Sequence, residues 1–300
     1  MHSIRAYLQL VRFPAVFTAM ADIFLGFLLV DPRTELEQNY FPIALLLVAS
    51  CCLYMAGMVF NDVFDRKIDA EERPDRPIPS GRISVMSAVC LGILLFACGL
   101  GAANVRGVPS LLVALMIVVG ILGYDGFLKK TVAGPLVMGC CRFLNVLLGA
   151  SAVGSFSEVW AAPQICVAGG LGIYITGVTW FGRTEARQSN RYQLAGAMTV
   201  INLGLAAIVL FVTFWGNEPS SLKALLILAV IVLTINRRLT KALRNPQSRP
   251  VQDAIKMMLY SLVMLDATLV LFSTGNIAYA AFTAGLVIPA MILGRWIFVT

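Results

Sequence analysis

Long apolar stretches alternate with short polar ones along almost the whole chain. A helix that crosses a bilayer needs about 20 mostly apolar residues, and ten stretches approach that length. They are residues 14–30, 41–60, 83–103, 108–124, 134–153, 164–181, 194–215, 220–236, 253–273 and 277–298. The pattern predicts an all-α fold: a polytopic transmembrane helical bundle of nine to ten spans, forming a single domain over residues 1–300. The count has a range because the last break rests on only four residues, 273–276.

The composition supports a membrane location. Hydrophobic residues make up 59% of the chain and charged residues 13%, whereas soluble domains carry about a quarter charged residues. The net charge of +7 would by itself fit a nucleic-acid-binding protein. The basic residues, however, lie in the loops between apolar stretches, as they do in membrane proteins. We therefore expect the lipid bilayer as a partner and no nucleic acid.

The basic residues are concentrated in alternate loops. Residues 61–82, 182–193 and 237–256 carry many of them, whereas the intervening loops hold only Arg33, Arg106 and Lys223. Short loops rich in Lys and Arg remain cytoplasmic. The distribution predicts a cytoplasmic N-terminus and places the most polar loops on that same side.

One polar stretch, residues 59–81, follows on the second apolar segment. It contains four oxygen-bearing side chains at helical spacing, which we call the aspartate face: Asn61, Asp62, Asp65 and Asp69. If the apolar helix continues through them, they share one side of it. Because neighbouring carboxylates repel each other, we expect a cation among them. Oxygen ligands suit Mg²⁺, which takes its remaining ligands from phosphate and water.

Basic residues surround this face, and Arg66 and Arg76 are placed to donate charge-assisted hydrogen bonds to a phosphate group. The alternative is a solvated loop beside the membrane, in which aspartates and arginines merely neutralise each other. The regular spacing and the proline-rich end of the stretch favour a Mg²⁺–phosphate site.

The motif Asn61-Asp-x-x-Asp-x-x-x-Asp69, followed by Arg76-Pro-Ile-Pro-Ser-Gly81, resembles the first aspartate-rich motif of the UbiA family of intramembrane prenyltransferases. The resemblance implies an all-helical membrane enzyme that binds an isoprenyl diphosphate through Mg²⁺. It further implies metal-binding and catalytic roles for the aspartates. That family is usually described with nine helices, so the tenth predicted segment is either an addition or a miscount.

A second polar element, Tyr124-Asp-Gly-Phe-Leu-Lys-Lys-Thr131, is similar to the family's tyrosine-and-lysine element. This similarity implies that Lys129 and Lys130 contact the diphosphate, that Lys129 is catalytic, and that Tyr124 lines the cavity. The alternative for both lysines is simple anchoring of the topology at the membrane surface.

The loop after the sixth segment corresponds to the position of the family's second Asp-x-x-x-Asp motif. Here that pair is reduced to a single carboxylate, Glu185, with Arg183 and Arg187 beside it. The resemblance implies that Glu185 is a metal ligand and that both arginines bind diphosphate. The alternative is an ordinary basic cytoplasmic loop, and the choice between one and two Mg²⁺ ions is open.

Arg142 and Asn145 lie inside the fifth segment, three residues apart and therefore on one helix face. Charged residues within a span normally face the bundle interior and mark functional sites, which favours an acceptor or cavity role. The alternative is an arginine paired with Asp22 or Asp266 to lock helices together. Arg12, in an Arg-x-Pro sequence that also resembles the family, either reaches substrate or anchors the chain at the interface.

We therefore predict a Mg²⁺-dependent membrane prenyltransferase acting on an unidentified acceptor, with an aromatic compound among the candidates. The second loop, Thr179-Trp-Phe-Gly-Arg-Thr-Glu185, resembles the divergent EboC branch of bacterial ebo gene clusters most closely. That branch implies a bacterial inner membrane. The rival hypothesis is a non-catalytic or transport-associated membrane protein that keeps a prenyl diphosphate pocket.

Overall fold

The computed structural model describes residues 2–33, 40–152, 155–184, 188–216 and 220–297, and every regular element in these ranges is helical. The elements are α1 (His2–Leu10), α2 (Val16–Val30), α3 (Tyr40–Glu72), α4 (Val85–Arg106), α5 (Val108–Gly123), α6 (Gly134–Ala150), α7 (Phe156–Val159), α8 (Ala162–Gly182), α9 (Arg191–Trp215), α10 (Ser220–Arg244), α11 (Ser248–Thr274), α12 (Ile277–Gly285) and α13 (Val287–Ile297). A 3₁₀ turn, Phe13–Ala15, precedes α2, and a five-residue π-helix, Tyr124–Leu128, continues α5.

The predicted helical bundle is confirmed, because each of the ten apolar segments coincides with helix. Eight helical spans in the described residues are long and apolar enough to cross a membrane. The other two predicted segments also form helices but are not among these eight: Gly134–Ala150, which is apolar but shorter at 17 residues, and Ser220–Arg244. The last pass is divided at Leu286 into α12 and α13. The chain is therefore an integral membrane protein.

Helix α1 lies outside the ten predicted segments and has only nine residues, too few to cross a membrane. Its apolar side, with Ala6 and Leu10, packs in a small separate cluster against Val59 and Val63 of α3 and Ile83 of the following loop. This contact ties the N-terminal segment to the polar end of α3.

The longest helix, α3, extends beyond its predicted apolar part through the whole aspartate motif and ends at Glu72. Pro74 follows two residues later, and the residue before a proline disfavours helical backbone. The chain then turns back through residues 73–84 to α4, whose first turn is capped by the Ser84 hydroxyl.

Helices α2 and α6 cross at very short distance. A Cβ atom added to Gly149 of α6 would lie 2.6 Å from the carbonyl oxygen of Ile23 in α2. Small residues let membrane helices approach closely. The crossing brings the polar side chains of both helices into direct contact.

Candidate functional site: a carboxylate and cation cluster at one end of the bundle

The loops predicted to be cytoplasmic meet at one end of the bundle. Arg82 donates to the side chain of Gln9 at 2.8 Å, and Gln9 in turn donates to the carbonyl of Ile297 at 2.8 Å. At the same end, Arg191 donates to the carbonyl of Arg244 at 3.1 Å. The co-location of these loops agrees with the charge pattern.

The aspartate face lies at this end, and all four of its members turn toward the protein. Asn61, Asp62 and Asp69 are buried, and Asp65 is half-buried. Arg76, in the loop after α3, bridges two of the carboxylates. Its Nη1 lies 3.2 Å from Asp62 Oδ1 and 2.6 Å from Asp69 Oδ2. The proline-rich turn therefore folds back over the face and brings a guanidinium onto it.

Arg12 reaches the same face from the N-terminal segment. Its Nη2 lies 3.2 Å from Asp62 Oδ1 and 3.4 Å from Asn61 Oδ1. Its backbone is left-handed (φ 47°, ψ 47°), the only such non-glycine residue in the described part of the chain. Such conformations are costly and concentrate at functional sites. Burial is the largest single influence and lowers the pKa of Arg12, but the combined interactions with Asp62, Tyr54 and Asp69 outweigh it, so the pKa lies above its ordinary value.

The π-helix at the end of α5 supplies the third cation. Lys129 forms an ion pair with Asp65, and its ammonium also lies 6.0 Å from the centre of the Tyr124 ring. The Lys129 amide donates to the Tyr124 carbonyl at 2.8 Å, an i to i+5 bond that widens this turn. Wide turns of this kind are frequent at functional sites because they re-aim side chains.

Asp125 is a member of the site that sequence reasoning did not single out. Its Oδ1 accepts a 2.7 Å hydrogen bond from the side-chain amide of Asn61. The one sequence feature that could have pointed to Asp125 is its position beside Tyr124, in the polar element that resembles the family's. Without knowledge of the π-helix, the direction of its side chain was not predictable.

Several predicted diphosphate ligands lie outside this cluster. Arg66 is exposed and donates to the carbonyl of Val63 at 3.0 Å, and Lys130 is exposed on the following turn. Arg183 is also exposed, and it donates to the backbone carbonyls of Lys129 and Thr131. Glu185 and Arg187 lie outside the described residues.

The donor set fits a magnesium ion in its chemistry. Four carboxylates and one amide oxygen converge here, and all are the hard oxygen ligands that Mg²⁺ takes. In the described part of the chain, no three acidic, histidine or cysteine side chains close into a metal cage of their own.

A second polar cluster, which we call the inner cluster, lies deeper between the helices. It consists of Asp22, Arg142, Asn145 and Asp266. Arg142 Nε lies 2.8 Å from Asp22 Oδ2, and the Asn145 amide donates to the same oxygen at 2.7 Å. Arg142 also donates to the Thr18 carbonyl at 2.8 Å. Arg142 is therefore paired with Asp22, as in the alternative in which such a pair locks helices together. Its guanidinium contacts α2.

The two clusters are connected through α3. Ser50 donates to Asn145 Oδ1 at 2.7 Å. One turn further along α3, the hydroxyl of Tyr54 lies close enough to both Arg12 and Arg142 to interact electrostatically with each. From Ser50 to Asn61 the helix rises roughly 16 Å. A polar path therefore runs from the inner cluster to the aspartate face.

The eight apolar helices of the described residues that are long enough to cross a membrane, together with the ionic cluster at one end of the bundle, define a class of protein, the polytopic helical membrane proteins. Within that class, the chain belongs to the UbiA prenyltransferase family, whose model matches residues 19–263. The family predicted from the aspartate motif is thereby confirmed.

Curated relatives include digeranylgeranylglyceryl phosphate synthases of archaea. The protein of that name from Saccharolobus solfataricus is 36% identical over 159 residues, which are 53% of this chain and 55% of the relative. The one from Sulfolobus acidocaldarius is 32% identical over 166 residues, 55% and 59% of the two chains. The chain thus spans a little over half the length of these relatives.

Solved structures share the fold. A UbiA homolog from Aeropyrum pernix K1 matches with a TM-score of 0.70 and 18% identity, over 84% of this chain and 96% of that one. A UbiA homolog from Archaeoglobus fulgidus, bound to GPP and Mg²⁺, matches with a TM-score of 0.66 and 16% identity, over 93% and 99%. These likenesses establish a UbiA-like fold along most of the chain.

Proposed function

We propose that this protein is a Mg²⁺-dependent prenyltransferase that moves an isoprenyl group from an isoprenyl diphosphate to an acceptor within the membrane. The observation that carries the proposal is the ionic cluster at the bundle end, where three cations pair with the carboxylates of a single helix face. Membership of the UbiA family supports it, as does the solved homolog bound to GPP and Mg²⁺.

In this proposal the aspartate face, with Asp125 beside it, holds the metal. Bound there, Mg²⁺ supplies electrostatic stabilisation of the diphosphate oxygens as the bond to the prenyl carbon breaks. The carboxylates contribute negative charge and fixed geometry. Asn61 contributes an amide oxygen, and its amide nitrogen orients Asp125.

The cations of the cluster serve the leaving diphosphate. Arg12, Arg76 and Lys129 already lie within contact of the carboxylates, so they adjoin any phosphate bound to a metal on that face. An arginine can give two parallel hydrogen bonds to phosphate. Stabilising the charge that develops on the leaving group is usually the largest single catalytic contribution. Lys129 and Arg76 are the residues we assign to it.

Arg183, Lys130, Arg66 and Arg187 are assigned smaller roles. Arg183 binds the backbone on either side of Lys130, so it orients the turn that carries Lys129. Glu185 stays a predicted second metal ligand. The loop that contains it is the basis for proposing the EboC-like branch.

The acceptor is proposed to approach from the bundle side of the cluster. Tyr54 and Tyr124 line the interval between the aspartate face and the inner cluster, where Arg142 and Asn145 form the far boundary. The names of the archaeal relatives support an acceptor with a glyceryl phosphate group. An aromatic acceptor is the second class to be tried.

The test is release of pyrophosphate by purified protein from geranyl or geranylgeranyl diphosphate, with and without Mg²⁺, in the presence of each acceptor class. Mass spectrometry of the lipid extract then identifies the product. A prenylated product that requires Mg²⁺ supports the proposal. Donor binding without pyrophosphate release from any acceptor mixture would favour the non-catalytic or transport-associated alternative.

We further propose that the ionic end faces the cytoplasm of a bacterial inner membrane. The proposal rests on the concentration of basic loops at that end. A cysteine placed at Ser80, in an otherwise cysteine-free version, should resist an impermeant thiol reagent added to intact cells and react in inverted vesicles. Labelling from outside intact cells would reverse the orientation.

A further inference from the structure

Two buried carboxyl groups of the inner cluster lie close enough to interact with each other inside the bundle. Asp22 of α2 and Asp266 of α11 are both completely buried, with 0% of their surface exposed. The Asp266 side chain lies within hydrogen-bonding reach of Asp22. Neither residue has a place in the proposed transfer reaction.

The hydrogen-bond partners of the two groups are very different. Asp22 Oδ2 accepts a hydrogen bond from the Asn145 amide and forms an ion pair with Arg142. Among the described residues, no N–H or O–H donor reaches either oxygen of Asp266 or the second oxygen of Asp22. A carboxylate is purely an acceptor, so two ionised carboxylates in this position would face each other with nothing between them.

Electrostatics excludes two negative charges here. Like charges in contact raise each other's energy, and burial away from water makes a charge costlier still. Arg142 is the charged group that acts on both carboxyls within the described residues. On α3, the Tyr54 hydroxyl interacts electrostatically with Arg142. One cation can balance one carboxylate.

We infer that Asp22 and Asp266 share a single proton, with Asp22 ionised against Arg142 and Asp266 held as a neutral acid whose O–H donates to Asp22. The proton turns a contact between two acceptors into a hydrogen bond, and it leaves the cluster electrically neutral. It also gives a hydrogen-bond partner to a buried carboxyl group that otherwise has none.

This arrangement makes Asp266 a positioning residue for Arg142. The guanidinium is fixed by Asp22 on one side and the Thr18 carbonyl on the other, and the O–H of Asp266 fixes Asp22. Three helices, α2, α6 and α11, are thereby joined through one proton. The inference is independent of the transfer reaction, and its tests involve no prenyl donor.

Infrared spectroscopy of the full-length protein in detergent tests the proton directly. At neutral pH, exposed aspartates and glutamates are ionised, so a protonated carboxyl gives a carbonyl band apart from theirs. We expect the wild type to show such a band, shifting in heavy water, and Asp266→Asn to lose it. Asp31→Asn, an exposed residue at the end of α2, is the matched control and should retain the band. Identical spectra for the wild type and Asp266→Asn would overturn the inference.

Thermal unfolding provides a second, independent test. Asparagine mimics a neutral acid, because its amide can donate to Asp22 as the carboxylic O–H does. Asp266→Asn should therefore keep the melting temperature of the wild type, whereas Asp22→Asn should lower it or prevent folding because Arg142 loses its counterion. If Asp266→Asn is instead the more damaging change, Asp266 carries the charge and the inference is wrong.

Discussion

The aspartate face and the inner cluster are built from the same residue types but differ in charge balance and access. Both join aspartates to arginine and asparagine. At the bundle end, the carboxylates of Asp62, Asp65, Asp69 and Asp125 outnumber the three paired cations, and the side chains of Arg12 and Lys129 keep 30% and 28% of their surface exposed. In the inner cluster Arg142 keeps 11% and Asp22 none.

This difference indicates that the two clusters have different functions. The end cluster has a surplus of carboxylate oxygen and side chains with room to move, which are the requirements for taking up a cation and an anionic substrate. The inner cluster is closed, and each partner is fixed by another helix. We therefore expect its charges to stabilise the arrangement of helices, because removing one member leaves the other buried and unpaired.

Arg142→Met should therefore have the largest effect on stability. It leaves the carboxylate of Asp22 buried without its counterion, and breaking a buried ion pair typically costs about 3–5 kcal/mol. The melting temperature in detergent should fall clearly below that of the wild type. Arg66→Met removes an exposed arginine and serves as the control. Equal stability of the two variants would show that the inner cluster is not a structural lock.

Arg76→Ala should have the opposite effect: donor binding should be lost, with little loss of stability. The residue bridges two carboxylates and lies where diphosphate oxygens are proposed to bind. Removing a partner from such a charged contact costs about 2–5 kcal/mol in binding. Titration of a non-hydrolysable isoprenyl diphosphate analogue measures the loss. Arg82→Ala, in the same loop but directed to Gln9, is the matched control, and a similar loss there would indicate disruption of the loop instead.

Arg183→Ala should weaken donor binding by a smaller amount. Its guanidinium donates to backbone carbonyls of the turn that carries Lys129, and hydrogen bonds to charged groups contribute about 1.5–3 kcal/mol. We expect this variant to bind the analogue more weakly than Glu185→Ala, with unchanged Mg²⁺ stoichiometry in both. If Glu185→Ala is the weaker binder and the stoichiometry falls, Glu185 is a metal ligand and a second metal must be included.

Arg66→Ala should have the smallest effect of all. Although its position beside the motif predicted a diphosphate ligand, its guanidinium donates to a carbonyl of its own helix turn. Exposed substitutions of this kind usually change stability by less than about 0.5 kcal/mol, and we expect a similarly small change in analogue binding. A loss comparable to that of Arg76→Ala would restore Arg66 to the diphosphate site.

Local periodicity made much of this architecture predictable. The ten apolar stretches predicted the positions of ten helical segments. Spacing by four residues predicted that Asp65 and Asp69 lie on one side of α3. The cost of a charge in a span indicated that Arg142 faces inward. Helical hydrogen bonds join residues four positions apart. The helices and the face on which a residue lies can therefore be predicted from neighbouring residues.

Contacts between distant segments were not predictable in the same way. Arg12 reaches Asp62 because the chain takes a left-handed backbone conformation before Pro14, and nothing in the local pattern requires it. Asp125 reaches Asn61 because α5 widens into a π-helix. The meeting of Asp22 and Asp266 depends on the packing of α2 against α11, which is decided by the whole bundle.

The most direct test of the central claim is a binding titration with Asp65→Ala. Asp65 is the most accessible aspartate of the face, so its loss should leave folding intact. The non-hydrolysable analogue is titrated at several Mg²⁺ concentrations against the wild type, Asp65→Ala and Asp75→Ala, a neighbouring exposed aspartate that serves as the control. We predict Mg²⁺-dependent binding for the wild type and Asp75→Ala and none for a folded Asp65→Ala protein. Undiminished, Mg²⁺-dependent binding to Asp65→Ala would contradict the assignment of the aspartate face as the metal–diphosphate site.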